Sequence, residues 1–293
     1  MLTGALLFGR GTKGGIASFY ERRFSKVVLT SVIYFFFYMW QNGRLNPVCA
    51  DTLREAFHRI LSGSIQEDCP FLWLVYMTLS IYVAVPFLQY MFEAMPYRAL
   101  TSLSAVVLVC MFLKTYTLMT TDLLPFFAQW IGIAMIGYWV SRPETRKYDR
   151  WIWILAALSF LKVVLSVNPY VYWQSYVNYY VHMAPLSIFM ACGIFALALH
   201  KKPEQTHRFS PLITMLGKHS FTILLLHWWV LYHLAIYTLN LDITWRHPLT
   251  FTGTILFVIA TSLVCGFLID QTVVYAIRTL FEATVKQAKR IAK

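Results

Sequence analysis

Phe71-Leu-Trp-Leu-Val-Tyr-Met-Thr-Leu-Ser-Ile-Tyr-Val-Ala-Val-Pro-Phe-Leu-Gln-Tyr-Met91 runs for 21 residues without an acidic, basic or His side chain. A helix rises about 1.5 Å per residue, so such a run spans about 30 Å, the thickness of a bilayer's hydrocarbon core. Four more apolar runs of similar length follow, over residues 123–141, 183–199, 220–239 and 250–270, with His227 and His233 in the third and Asp270 ending the last. Three weaker ones complete the set: 27–41 is short, 99–119 contains Lys114, and 151–167 contains Lys162. The composition agrees. The 293 residues are 58% hydrophobic and 13% charged, against about 25% charged in soluble chains. Mean hydropathy is +0.57. A disordered chain, a coiled coil and a small disulfide scaffold are excluded. The expectation is an all-α, polytopic integral membrane bundle of about eight complete spans, forming one domain over residues 1–293.

The basic residues test that count. If the stretch 9–26 is cytoplasmic and the chain alternates, the inside segments are 9–26, 92–98, 142–150, 200–219 and 271–293. They hold 19 Lys and Arg, whereas the outside segments 42–70, 120–122, 168–182 and 240–249 hold four. Losing or gaining one helix would swap the later loops and destroy this asymmetry. Eight spans with a cytoplasmic C-terminus follow from the positive-inside rule. The net charge of +12 is therefore read as topology, because it lies in short runs between apolar stretches; no nucleic-acid partner is expected. No cleavable signal peptide is expected, since no charged run leads into an apolar one ending in small residues, and no internal repeat of the transporter kind is expected either. Residues 1–8 are apolar but too few to cross, and read as the last turns of a partial N-terminal helix.

Several polar groups sit in awkward places. Lys114 and Lys162 lie toward the outside ends of their spans, where snorkelling accounts for them. His227 lies about eight residues into its span, too deep to reach water easily. It is either a hydrogen-bonded core histidine or a group lining a polar cavity. Asp270 ends the last span at the inner interface. Cys110, Cys192 and Cys265 read as small core residues. Cys49 and Cys69 share the outside loop 42–70, where an oxidising exterior permits a disulfide; two unrelated thiols are the alternative. No Cys or His spacing resembles a metal site. Loop 168–182 has five Tyr and one Trp but no Lys, Arg, Asp or Glu. It fits an interfacial aromatic belt or a platform for a sugar, with rings for its C–H face and amides for its hydroxyls. The run Phe19-Tyr-Glu-Arg-Arg-Phe-Ser-Lys26 fits either topology and anionic lipid or a phosphate-bearing ligand, which Arg holds through a bidentate fork.

Taken in order, these pieces resemble the acyltransferase-3 family, and most closely its bacterial surface-polysaccharide O-acetyltransferase branch. Met1-Leu-Thr-Gly-Ala-Leu-Leu-Phe-Gly-Arg10 resembles the family's Ser-Gly-Tyr-Leu-Leu helix end, and Phe19–Lys26 the basic element after it. Leu72-Trp-Leu-Val-Tyr76, ending at Pro86, resembles its Leu-Trp-Phe…Tyr…Pro helix. Gly132 to Gly137 resembles its middle Gly-Tyr helix. Leu216-Gly-Lys-His-Ser-Phe-Thr-Ile-Leu-Leu-Leu-His227 resembles its late Ser…Ile-Tyr-Leu-x-His helix. The resemblance implies transfer of an acyl group, usually acetyl, from cytoplasmic acyl-CoA to a hydroxyl of a surface polysaccharide or lipid-linked sugar. It implies a bacterial inner-membrane location, with acyl-CoA as donor substrate and no bound cofactor. The family's catalytic His, on a first helix some ten residues after a basic residue, has no counterpart in this sequence. Met1 aligns inside the second family helix. Lys26 stands where the family often has Arg, and Leu224 where it usually has Tyr.

The site residues implied are Arg22, Arg23 and Lys26 for the coenzyme A phosphates. Trp73, Tyr76, Tyr172, Trp173 and Tyr176 are placed around the acceptor, and His227 stands as a weak catalytic candidate. Two rivals stay open. One is an inactive remnant that binds glycan or serves as a structural membrane protein. The other is a transporter of a small molecule or glycan precursor.

Overall fold

The computed structural model describes residues 1–8, 15–64, 72–116, 130–166, 185–200, 210–241 and 248–291. Among them all regular structure is helical: α1 (Leu2–Leu7), α2 (Gly15–Gln41), α3 (Ala50–Ser62), α4 (Trp73–Ala94), α5 (Tyr97–Tyr116), α6 (Trp130–Ser141), α7 (Asp149–Ser166), α8 (Pro185–His200), α9 (Ser210–Trp229), α10 (Pro248–Ile269) and α11 (Tyr275–Ile291). Two π-helical segments, Val230–Thr238 and Asp270–Val274, continue α9 and α10.

Among the described residues, three helical stretches are long and apolar enough to cross a membrane: Trp73–Ala94, Thr214–Thr238 and Leu249–Thr284. They match the expected spans 71–91, 220–239 and 250–270. Only 33%, 28% and 22% of their most apolar windows are buried inside the protein, so most of this apolar surface needs lipid to cover it. Four shorter apolar helices are Val27–Gln41, Tyr97–Leu113, Trp130–Ser141 and Pro185–Leu199. α7 covers the remaining expected span but carries Asp149, Arg150 and Lys162. Lys162 is exposed.

Two boundaries differ from expectation for clear reasons. The run 27–41 is the second half of α2, because Ile16–Lys26 contains no Gly or Pro to stop the helix. The segment 42–70 is not wholly loop. It contains α3, whose Ala56, Phe57 and Ile60 repeat at helical spacing while Arg54, Glu55 and His58 face outward. Cys49 caps its start reciprocally with Thr52, and Gly63 (φ 79°) closes its end in the left-handed conformation that favours glycine.

The chain forms two compact units, each assembled from two segments. The first holds residues 1–16 and 80–205. Here α1 lies on α6 with almost no side chain between them. A Cβ on Gly4 would meet the Ala134 carbonyl, and one on Gly137 would meet the Met1 backbone. Small residues let helices approach this closely. Phe8 is fully buried and packs its ring 5.1 Å from Phe92 and 6.1 Å from Tyr138. α7 and α8 meet where Gly193 abuts Ala156. The turn after α6 is tied down by Thr145, which donates to the Trp139 carbonyl at 2.6 Å and accepts from Tyr97 at 3.1 Å. Lys147 lies 4.9 Å from the Tyr148 ring centroid.

The second unit holds residues 17–79 and 206–293. Its core joins Tyr34, Phe35, Tyr38 and Met39 of α2 to Val75 of α4 and Leu225 and Leu226 of α9. Tyr38 donates to the Leu225 carbonyl at 2.8 Å across 187 residues of sequence. α3 is docked by Phe57 against Phe36. The π segment ends at Thr238, and Asn240 two residues on has a φ of 48°, a left-handed conformation that Asn tolerates.

Candidate functional site

The second unit carries a polar cluster at the crossing of α9 and α10. His219 and Thr222 stand three residues apart and so share a face of α9. Asp270 directly follows the last residue of α10. One Asp270 oxygen, Oδ2, accepts from Thr222 Oγ1 at 2.7 Å and from His219 Nδ1 at 3.3 Å. A carboxylate offers only acceptors here, so Nδ1 carries a proton, and in the neutral imidazole Nε2 is then the basic atom. The His219 side chain is 8% exposed and that of Asp270 23%. The Phe267 ring meets the imidazole edge-on at 5.6 Å. The helices come this close because residue 266 is Gly: a Cβ there would stand 2.7 Å from Thr222 Cγ2.

Tyr34 of α2 belongs to the same surroundings. Its ring is 1% exposed, in the core against which Cys265 of α10 packs. Among the described residues that hydroxyl has no hydrogen-bond partner. Buried hydroxyls seldom go unpaired.

The residues expected from sequence fare differently. Arg22, Arg23 and Lys26 lie on α2, with side chains outside the described set. His227 lies on α9 eight residues beyond His219, and its Nδ1 donates to the Leu224 carbonyl of its own helix at 2.6 Å. Trp73 opens α4. Tyr76, one turn on, donates to the Ile60 carbonyl at 2.6 Å and stacks on Phe35 at 5.6 Å. Tyr76 thus joins α4 to α3 and α2. Tyr172, Trp173 and Tyr176 lie outside the described residues. So does Cys69, which leaves its pairing with Cys49 an expectation. Cys49 itself is exposed and lies 3.5 Å from Thr52 Oγ1. Among the described residues no group of His, Cys, Asp and Glu is placed to hold a metal ion.

Sequence reasoning passed over His219, although a signal existed. His219 precedes the expected span 220–239 by one residue, and Asp270 ends the next, 250–270. Consecutive spans run antiparallel, so the start of one and the end of the next lie at the same level.

The model of the acyltransferase-3 family, described as an acyltransferase domain, matches residues 1–270. The chain belongs to the acyltransferase-3 family. The match includes segments of both compact units, so both are parts of the family's domain. Among curated proteins and solved structures, none matches the chain. Membership of the acyltransferase-3 family, with helices able to span a bilayer, makes this an integral membrane acyltransferase-like protein.

Proposed function

We propose that the chain is an O-acyltransferase of eight spans in a bacterial inner membrane. It moves an acetyl group from cytoplasmic acetyl-CoA to a hydroxyl of a surface polysaccharide or its lipid-linked precursor. The observation that carries this reading is the family match over residues 1–270. The 19-to-4 distribution of basic residues supports a cytoplasmic C-terminus. It also puts Arg22, Arg23 and Lys26 on the side where acyl-CoA is made. Two guanidinium forks and an ammonium within five residues suit the phosphates of coenzyme A. Trp73 and Tyr76, with Tyr172, Trp173 and Tyr176, are assigned to the acceptor side.

The test is acetyl transfer in everted vesicles supplied with labelled acetyl-CoA, with label read in the glycan fraction. Changing Arg22 and Arg23 together to Ala should raise the KM for acetyl-CoA by about 10- to 100-fold, the worth of charge-assisted phosphate contacts. Unchanged KM and turnover would remove the coenzyme A assignment. A wild-type chain that retains labelled acetyl-CoA or glycan without transferring acetyl would favour the binding-protein reading.

A further inference from the structure

We infer that His219, held by Asp270, takes up the hydroxyl proton during acyl transfer, an inference that rests on the acyltransferase reading above. Both residues lie inside stretches apolar enough to span a membrane. Withdrawing such a pair from water is costly, and its mutual attraction seldom repays the cost. Apolar side chains would hold α9 against α10 at least as well. An ionisable pair whose histidine side chain is only 8% exposed, kept where the inner ends of two spans cross, therefore points to chemistry.

The geometry fits a base. Asp270 fixes the proton on Nδ1 and leaves Nε2 as the basic atom, and among the described residues Nε2 makes no hydrogen bond. Thr222 holds the same carboxylate oxygen and keeps it from swinging away. Phe267 walls the imidazole on one edge. The Tyr34 hydroxyl, without a hydrogen-bond partner among the described residues, adds a second polar group to the same compact unit. Tyr34 follows Lys26 by eight residues on α2, about 12 Å along the helix axis. The phosphate-binding candidates and the imidazole–carboxylate pair thus belong to one compact unit.

The step balances without any further reactant. At the cytoplasmic end of the spans, where acyl-CoA is available, the hydroxyl oxygen of the lipid-linked acceptor attacks the thioester carbonyl as its proton passes to His219 Nε2. The new C–O bond forms and the C–S bond breaks. Asp270 stabilises the imidazolium meanwhile. The imidazolium then protonates the departing thiolate, giving the ester, free coenzyme A thiol and neutral His219. The carboxylate acts through His219 and is a positioning residue.

The test uses the full chain in everted vesicles with labelled acetyl-CoA, reading both label in glycan and release of coenzyme A thiol. His219→Gln should lower turnover by about 10²- to 10⁴-fold with the KM for acetyl-CoA within about twofold of wild type. Asp270→Asn keeps an acceptor for Thr222, so the helix crossing should survive while control of the imidazole tautomer is lost. It should lower turnover by at least about tenfold, again with KM unchanged. A purely structural pair would instead reduce the amount and melting temperature of the protein while each surviving molecule turned over normally. Turnover per folded molecule within about threefold of wild type in either variant overturns the inference. A wild-type chain with no acetyl transfer overturns the acyltransferase reading as well. An active wild type with active variants overturns the role of His219 alone.

Discussion

At the scale of single residues, Cys49 has an environment that sets its reactivity. The Thr52 hydroxyl beside its sulfur, reinforced by backbone hydrogen bonding from the same residue, holds the thiol below its ordinary pKa. The thiolate is the reactive form, so alkylation of Cys49 should set in at lower pH than for a free thiol. Thr52→Ala should move the pH–rate profile upward, which iodoacetamide labelling over a pH series measures. Labelling that appears only after reduction, together with a Cys49–Cys69 cross-linked peptide by mass spectrometry, would establish the disulfide. Tyr38 offers a stability test. Tyr38→Phe removes the buried hydrogen bond to the Leu225 carbonyl and leaves that oxygen short of one donor. The expected cost is about 1–2 kcal/mol, read as a lower melting temperature in detergent. Little of this was legible in the sequence, because partners 187 residues apart are joined only by the folded chain.

Pairs of elements are governed here by small residues. Gly266 lets α10 press against Thr222 of α9, with 2.7 Å between a would-be Cβ and Thr222 Cγ2. Gly266→Ala should therefore cost about 1–3 kcal/mol through overpacking. Adding Thr222→Ser removes the offending methyl and keeps the hydroxyl that Asp270 accepts. The double variant should recover most of the loss, and a double-mutant cycle on thermal unfolding in detergent measures the coupling. Additive losses would mean that the two side chains do not meet. The expected helices were visible as apolar runs, but their ends were not. α2 extends back through Phe19–Lys26, and α9 begins ten residues before its expected span. Charged residues end a hydrophobic run without ending a helix. α3 was hidden inside a presumed outer loop, since only Leu53, Phe57, Ile60 and Leu61 among its residues are large and apolar.

For the whole molecule, topology makes the sharpest expectation. With the C-terminus cytoplasmic, Cys49 faces outward and the Arg142–Arg150 stretch inward. A membrane-impermeant maleimide should label Cys49 in intact cells, whereas a tag after Lys293 should resist protease until the membrane is opened. Equal access to both would invalidate the eight-span alternation. Among the described residues, three helical stretches meet the length and hydropathy of a membrane span on their own. The shorter apolar helices share the burden with their neighbours, as the backbone contact of α1 with α6 illustrates.

The sequence by itself determined that this is a helical membrane protein of the acyltransferase-3 kind. Hydropathy and charge asymmetry are properties of local runs, and the family motifs are local as well. It also indicated which basic residues to consider for the donor. Only the tertiary structure decided which histidine has a carboxylate beside it. His227 looked the more suggestive for its depth in a span, yet its Nδ1 bonds to its own helix, whereas His219 meets Asp270 from the next one. That pairing depends on how closely two helices approach, and Gly266 with Thr222 sets the distance. Apolar periodicity carries no record of such a crossing, so the candidate base emerged only when the helices were packed.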